Sequence, residues 1–571
     1  MLTGSEPDED VQETSEEEVV AGDDDTQVGA APSAPPQWED YTYEQQPDLD
    51  VRTWQHPPPP LLPANTGARN LDSRRMVFRT PASIFMKFLP HELLDPVVQA
   101  SNSWHANNME PFHSNFKHVK REPITRKDLL RFIVTIFMMG IYRLPNLSMY
   151  WNTEFNTPLI NRLFPSVTHF KRVLRSIHFV DTSAVLLEEQ KRRNRIDSYW
   201  KLGDFTEIMC QVFVFHRVPD GRLTVDEFTI PCRAAHMARC FNPQKPERYH
   251  LKGWSLNEAK TGYCLRLYMY RGRDEKRPAN MPASVFPTHE LLGNYHEIHN
   301  SGYHLFADNW FSCTRVVREM HALGVGYTGT VRVNRVDKAF TDTKEWKKKA
   351  ERGHMRARKT TAAAGPPTIY CTQWMDKKPV TFLTTEPGVV GSIDRKVSDK
   401  KARTYQKKSY TVPSCVTNYN QGKVGTDRMD QMIAMLYFKN RFRWHVKCFI
   451  HFMYIILNNA HVTWKEIRDP LPGVDMSKTA LRHYVMLMVH ELCIAEKLWV
   501  THEDNHDGVL MHTPATVPSK KGQRKKQGRC VSCSTDATTR CKACSEWIHI
   551  DGHAEGKACW STHHRSLNFF K

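Results

Sequence analysis

Four aspartates stand where an apolar or β-prone run ends or a helix begins. Asp226 sits in Leu-Thr-Val-Asp-Glu-Phe and Asp308 in Leu-Phe-Ala-Asp-Asn-Trp-Phe, while Asp427 and Asp430 share Gly-Thr-Asp-Arg-Met-Asp-Gln-Met. Carboxylates gathered from distant segments make a hard, all-oxygen site suited to Mg²⁺. Two such ions held about 3.5–4 Å apart can run phosphoryl transfer, one activating the nucleophile and one stabilising the leaving oxygen. Strand ends hold such groups well because the sheet fixes the backbone. Asp427 and Asp430 have i,i+3 spacing and share one face if helical. Taken singly, an Asp at a strand end is usually a turn former and one at a helix start usually a cap.

A second constellation lies at the C-terminal end. Cys530-x2-Cys533 and Cys541-x2-Cys544 are followed by His549-x3-His553, then Cys559 with His563 and His564. Paired Cys-x2-Cys units with Cys and His at short spacing are the pattern of structural zinc. Eight ligands suit two tetrahedral Zn²⁺ ions, which would supply the folding energy that so short a segment lacks.

The chain has 571 residues and 79 Lys and Arg against 62 Asp and Glu, a formal charge of +17. Residues 1–50 hold 16 of those acids and no Lys or Arg, so the rest carries 46 acids against the same 79 bases. Such a basic body calls for a polyanion, nucleic acid first. No apolar run reaches the roughly 18–20 residues needed to span a bilayer, so no membrane partner is expected. The acidic N-terminus lacks a secretory signal, and an intracellular protein is expected. Fourteen cysteines in a reducing compartment argue against a disulfide framework.

The elements that would position the aspartates follow from the pattern. Residues 1–78 are acidic and Pro-rich, poor in aliphatic side chains, and expected to be disordered. Residues 79–220 read as helices, notably Lys127 to Tyr142, Phe170 to Phe179 and Asp204 to Phe215. From 221 to 335 short β-prone runs alternate with helices, which predicts an α/β core with a mixed sheet. Residues 336–413 read as a basic insertion with strand-like runs at Thr368 to Gln373 and Val380 to Thr384. Residues 414–435 return to the core, 436–501 are helical, 502–528 form a basic linker and 529–571 the cysteine-rich domain. The run Lys520 to Lys526 suits nuclear import, phosphate contact, or both.

At Thr-Val-Asp226-Glu, Asp308-Asn309-Trp310-Phe311 and Thr426-Asp427-Arg-Met-Asp430-Gln431 the chain resembles the catalytic blocks of piggyBac-type transposases. Met149 to Glu154 with Phe170 to Phe179, and Tyr327 to Arg335, are similar to further blocks of that family. The resemblance covers about residues 80–500 and the cysteine-rich end. It implies an RNase H-like core of the DDE/D kind with an insertion, a flanking helical dimerisation and DNA-binding domain, and a C-terminal cross-brace zinc domain. It implies Asp226, Asp308 and Asp427 as the catalytic, Mg²⁺-holding triad (Mn²⁺ able to substitute), with Asp430 as a nearby acid. The implied activity is cut-and-paste transposition: cleavage at terminal inverted repeats, hairpin formation and strand transfer into TTAA targets by a nuclear homodimer on double-stranded DNA. The alternative is a domesticated relative that binds DNA without cutting it. Arg441, Arg443, Trp444 and Lys447 fall in a basic-Trp segment similar to one expected to touch DNA, although Trp444 is one residue closer to the preceding Asp than the family pattern. Trp444 equally suits a helix core. On the family's zinc arrangement, Cys530, Cys533, His549 and His553 share one ion. Cys541, Cys544 and Cys559 share the other with His563 or His564, spacing favouring His564. His549 stands where the family often has Cys.

Overall fold

The computed structural model describes residues 37–50, 67–68, 80–108, 123–152, 155, 157–182, 185–272, 277–336, 340, 343–399, 404–438, 442–467 and 481–499, with short backbone pieces at 514–516, 528–529, 536–537 and 539–541. Strands β1 (Trp38–Asp40), β2 (Glu44–Asp50) and β3 (Gly67–Ala68) come first. A helical block follows: α1 (Pro81–Lys87), α2 (His91–Asn108), α3 (Arg126–Tyr142), α4 (Pro158–Leu163), α5 (Val167–Ser176), α6 (Leu187–Ile196) and α7 (Phe205–Phe215). α3 forms because Thr125 and Asp128 close a capping box around its first turn and Leu129 to Met139 is almost wholly apolar.

The core then alternates. β4 (Arg217–Val218), β5 (Arg222–Pro231), β6 (Arg239–Phe241), β7 (Tyr249–Glu258) and β8 (Cys264–Met269) lead to α8 (Phe286–Gly293), β9 (His304–Ala307), α9 (Thr314–Ala322) and β10 (Gly326–Thr330). β5 lies at the centre, antiparallel to β7 and parallel to β9, and β10 is parallel to β9. β8 pairs with the far edge of β7, so the core order is β8-β7-β5-β9-β10. The strand β7 was not foreseen. Its residues from His250 to Glu258 are buried except Lys252, so it has no clean alternation, as expected of a strand covered on both faces.

α10 (Thr343–Lys349), β11 (Met355–Thr360), β12 (Tyr370–Met375), β13 (Pro379–Thr384), β14 (Val389–Asp399) and β15 (Thr404–Pro413) complete residues 336–413. These do not stand apart from the sheet: β13 pairs antiparallel with β10, and β12 and β11 extend it outward. Residues 395–399 lie on β14 and 404–408 on β15, which pair antiparallel. Residues 37–50 depart from the expected disorder. β1 closes the sheet edge on β11 and β2 runs parallel to β14. Aromatic side chains replace the missing aliphatics there, with Tyr43 only 2% exposed.

The chain ends its described core with α11 (Ser414–Gly422), α12 (Gly425–Ala434), α13 (Trp444–Ile467) and α14 (Leu481–Ala495). α13 is buried from His445 to Trp464, an all-round burial that fits a helix threaded between the sheet and the helical block. Asn459 docks it on β8: its amide oxygen accepts from the Cys264 N–H (2.8 Å) and its amide N–H donates to the Cys264 carbonyl (2.8 Å). Arg217, fully buried, donates to Glu258 on β7 and Glu466 on α13. Among the described residues no helix is long and apolar enough to cross a membrane.

α3 and α12 meet end to end. A Cβ on Gly140 would lie 2.0 Å from the Leu436 carbonyl oxygen. Arg143 donates to the Ala434 (2.8 Å) and Met435 (2.6 Å) carbonyls that α12 leaves open. Gly140→Ala should therefore destabilise the protein by about 1–3 kcal/mol in urea unfolding. Gly293→Ala, with no atom within 4 Å of the added carbon, should be near neutral.

Candidate active site

The parallel ladder between β5 and β9 ends with Val225 opposite Ala307. The next residues are Asp226 and Asp308, so two carboxylates emerge side by side from neighbouring strands. Asp226 continues along β5 opposite Ser255 on β7. Asp308 begins a tight turn: its Oδ1 accepts from the Trp310 N–H (2.8 Å) and its carbonyl from the Ser312 hydroxyl (2.8 Å). The turn is locked by packing. Trp310 stacks on Trp254 with ring centroids 5.9 Å apart, and Phe311 is buried.

Asp427 arrives from the other side on the first turn of α12. Three glycines allow that approach. A Cβ on Gly422 would meet the Phe306 ring at 2.3 Å, one on Gly425 the Thr224 Oγ1 at 2.8 Å, and one on Gly262 the Arg428 Cβ at 2.8 Å. Polar contacts fix the register. Thr224 donates to the Gly422 carbonyl, and Thr426 donates to Asn257 Oδ1 (3.1 Å).

Asp226, Asp308 and Asp427 thus line one cavity of about 290 Å³, with Asn309, Thr330, Tyr419 and Lys423. Asp430 lines a neighbouring cavity of about 630 Å³ with Thr229, Tyr437 and His451. It still feels the first set. Burial, then the charges of Asp226 and Asp427, raise its carboxyl to about 7. Burial likewise raises Asp226 to about 7, with Asp308 and Asp427 adding to the rise against a hydrogen bond from the Glu227 N–H. Asp308 is raised mainly by burial, offset by the Trp310 and Phe311 N–H groups and by Arg332. Burial pushes Tyr419 up to about 12, helped by the same three carboxylates. Glu227, next to Asp226, faces away: burial opposes its charge, but Lys252 and Lys245 hold it below the usual range.

This environment fits a divalent cation. The cavity-lining acids are oxygen donors, one oxygen each of Asp226 and Asp308 is fixed by a backbone N–H, and crowded negative charge lacks a full counterweight. Among the described residues no group of three or more His, Cys, Asp or Glu side chains stands close enough together to hold a metal ion, so the three acids share a cavity without their carboxylates being drawn onto one point.

Thr330, Tyr419 and Lys423 were not singled out in the sequence. Thr330 and Arg332 belong to the Gly-Thr-Val-Arg block, which carried a signal; Tyr419 and Lys423 carried none. Arg443 and Trp444 lie together at the start of α13, and Lys447 is one turn on. Arg443 donates to the Leu174 (3.2 Å) and Arg175 (2.7 Å) carbonyls, closing α5, and burial lowers it to about 10. Trp444 packs on His236 (centroids 4.5 Å) and Tyr199 (5.7 Å). Lys447 is buried. Arg441 and the zinc-ligand set Cys530, Cys533, Cys544, His549, His553, Cys559 and His564 lie outside the described residues. Of Cys541 only the backbone is described, in a strand Thr539–Cys541 antiparallel to Pro514–Thr516.

A family model described as "Transposase IS4" matches residues 80–461. The chain belongs to this transposase family, in its piggyBac-type branch. Human PiggyBac transposable element-derived protein 3 is 25% identical over 496 residues, covering 83% of this chain and 75% of the relative. The human chimeric ERCC6-PGBD3 protein is also 25% identical, the match covering 83% of this chain and 42% of that protein. Among solved structures, the piggyBac transposase synaptic complex with hairpin DNA superposes with a TM-score of 0.61 at 16% identity, covering 85% of this chain and 97% of that one.

The raised acids set a pH dependence for the metal-free protein. A carboxyl held higher in the folded than in the unfolded state favours folding while protonated, and that contribution is lost as pH rises through the folded value. From about pH 4 to about pH 7 the protein in EDTA should lose melting temperature through Asp226 and Asp430. Asp226→Asn should flatten this fall and raise the melting temperature at pH 8. A variant that melts lower than the parent at pH 8 would contradict the electrostatic reading.

Proposed function

We propose that the chain is a cut-and-paste DNA transposase whose Asp226, Asp308 and Asp427 hold two Mg²⁺ ions. The observation that carries this reading is the meeting of three carboxylates from β5, the end of β9 and the first turn of α12 on one small polar cavity. The core order β8-β7-β5-β9-β10, with β9 and β10 parallel to β5, supports an RNase H-like core. Residues 79–220 and 436–501 would form a helical dimerisation and DNA-binding domain, 221–335 and 414–435 the core, 336–413 its insertion and 529–571 an end-recognising domain with two Zn²⁺. The basic linker 502–528 fits a nuclear protein.

When bound, the Mg²⁺ ions supply Lewis acidity and a water poised for deprotonation. The protein's own groups set the geometry. Asp226 and Asp308, fixed by backbone N–H groups, aim carboxylate oxygens at the cavity, and Asp427 closes it from the helix. Lys423 and Asn309 line the wall where a phosphate would enter. Water attacks the phosphodiester, a phosphorus–oxygen bond breaks, and the 3′-oxygen leaves as hydroxyl. That hydroxyl then attacks a phosphodiester of the opposite strand, forming the hairpin as that strand's own phosphorus–oxygen bond breaks and its 3′-oxygen leaves as hydroxyl. Water opens the hairpin in the same way, and the regenerated 3′-hydroxyl attacks a TTAA phosphodiester, displacing the target's 3′-oxygen as hydroxyl. Arg441 and Trp444 would contact DNA, whereas Arg443, which donates to the Leu174 and Arg175 carbonyls, and the buried Lys447 depart from the DNA contacts expected of them. Asp430 would tune the site from the neighbouring cavity.

A second reading, a domesticated DNA-binding protein without cleavage, is favoured by one observation: the human relatives bear names of transposable element-derived proteins. A Mg²⁺-dependent nicking assay on labelled end oligonucleotides separates the two. Asp226→Asn, Asp308→Asn and Asp427→Asn should each lower cleavage about 10³-fold or more while DNA binding persists. Binding without cleavage by the parent in Mg²⁺ and Mn²⁺ would favour domestication. Deleting 529–571 should remove preference for the end sequence; a chain that discriminates as before would refute the role of the cysteine-rich domain.

A further inference from the structure

Residues 37–50 form a strap between two lysine-bearing parts of the 336–413 region. On one side β1 lines up with β11, Trp38 opposite Thr360 and Asp40 opposite Arg358. The Gln37 carbonyl accepts from the Thr361 N–H (2.9 Å), and the Trp38 carbonyl from Arg358 (2.7 Å). On the other side β2 runs parallel to β14, the partner of β15. Tyr43 anchors the middle. It is 2% exposed, its hydroxyl is 2.7 Å from Thr372 Oγ1, and its ring meets Tyr41 edge-on at 4.8 Å. Strand pairing plus a buried aromatic anchor is far stronger attachment than the exposed pairs Lys359–Glu39 (3.2 Å) and Arg358–Asp40 (3.3 Å) would give alone.

The lysines lie close to this strap. Lys347, Lys348 and Lys349 are exposed on α10, which joins β11 where Arg356 covers the Trp346 ring at 4.9 Å. Lys407 and Lys408 are exposed on β15. Among the described residues none of the five makes an ion pair. The 36 residues before the strap hold eleven acids, from Glu6 to Asp25, and no Lys or Arg. At roughly 3.3–3.6 Å per residue they reach either lysine group with ease. Tethering at the strap also gives them an effective concentration of order millimolar at those lysines.

Arg352, three residues after Lys349, lies over the Tyr410 ring of β15 at 4.6 Å, and Lys408 lies over the same ring at 5.5 Å, which brings the two lysine groups to one side. We propose that these lysines of α10 and β15 are the docking surface for the chain's own acidic segment 1–36, which the strap delivers there and which DNA phosphate must displace. The proposal rests on the DNA-binding reading above only for its DNA readouts.

Full-length protein is treated with a zero-length carbodiimide, with and without excess duplex DNA, and the new amide links are mapped by mass spectrometry. Links should join acids between Glu6 and Asp25 to Lys347, Lys348, Lys349, Lys407 or Lys408, and DNA should suppress them. A full-length variant with those eleven acids changed to Asn or Gln leaves the strap intact. It should bind nonspecific duplex about fivefold tighter or more at low salt, the gain fading towards 0.5 M salt. Links confined to other lysines, or an unchanged affinity, overturn the proposal. If the five lysines are linked but duplex binds neither form, docking stands and the DNA-binding reading falls.

Discussion

The structure turns on the close approach of the α11–α12 turn to the sheet. Three like charges must share one small cavity, and they repel. What holds them is the fit of backbone to sheet at Gly422, Gly425 and Gly262, where the space for a side chain is already filled by Phe306, Thr224 and Arg428. Thr224 and Thr426 fasten the turn through the Gly422 carbonyl and Asn257. Behind it, Arg143 and Gly140 tie the far end of α12 to α3. The helical block is thus part of the support of the three-carboxylate cavity.

This arrangement explains the protonation of the cavity. Burial first, and the charges of the neighbouring acids second, raise Asp226 in this cavity and Asp430 beside it to about 7. A divalent cation held by the three acids, as proposed, would relieve that penalty. Arg332 offsets part of the burial effect at Asp308.

Much of this was legible in the sequence, for physical reasons. Asp226 and Asp308 follow short apolar strands, and Asp427 opens a helix, so each element could be read locally. α3 announced itself by its long apolar run, while its capping box at Thr125 and Asp128 emerged only in the structure. β7 was not legible because burial on both faces erased its alternation. The strap was hidden by composition, since its burial depends on Tyr43 and Trp38 meeting β11 and β12, far away in sequence. Partners across the sheet were equally out of reach: the 336–413 strands read as strands, but their pairing with β10 is a long-range fact. Tyr419 and Lys423 reach the cavity only because α11 lies over β9 and β10. Asp430, grouped with Asp427 by spacing, turns instead to a second cavity.

The account's central claim is that the three carboxylates act as one cation site. Mn²⁺ binding followed by electron paramagnetic resonance tests it most directly, comparing the full-length protein with the variant carrying Asp226→Asn, Asp308→Asn and Asp427→Asn. The account predicts bound Mn²⁺ in the parent that the triple variant loses while its circular dichroism is unchanged. Equal Mn²⁺ binding by the two proteins would contradict it.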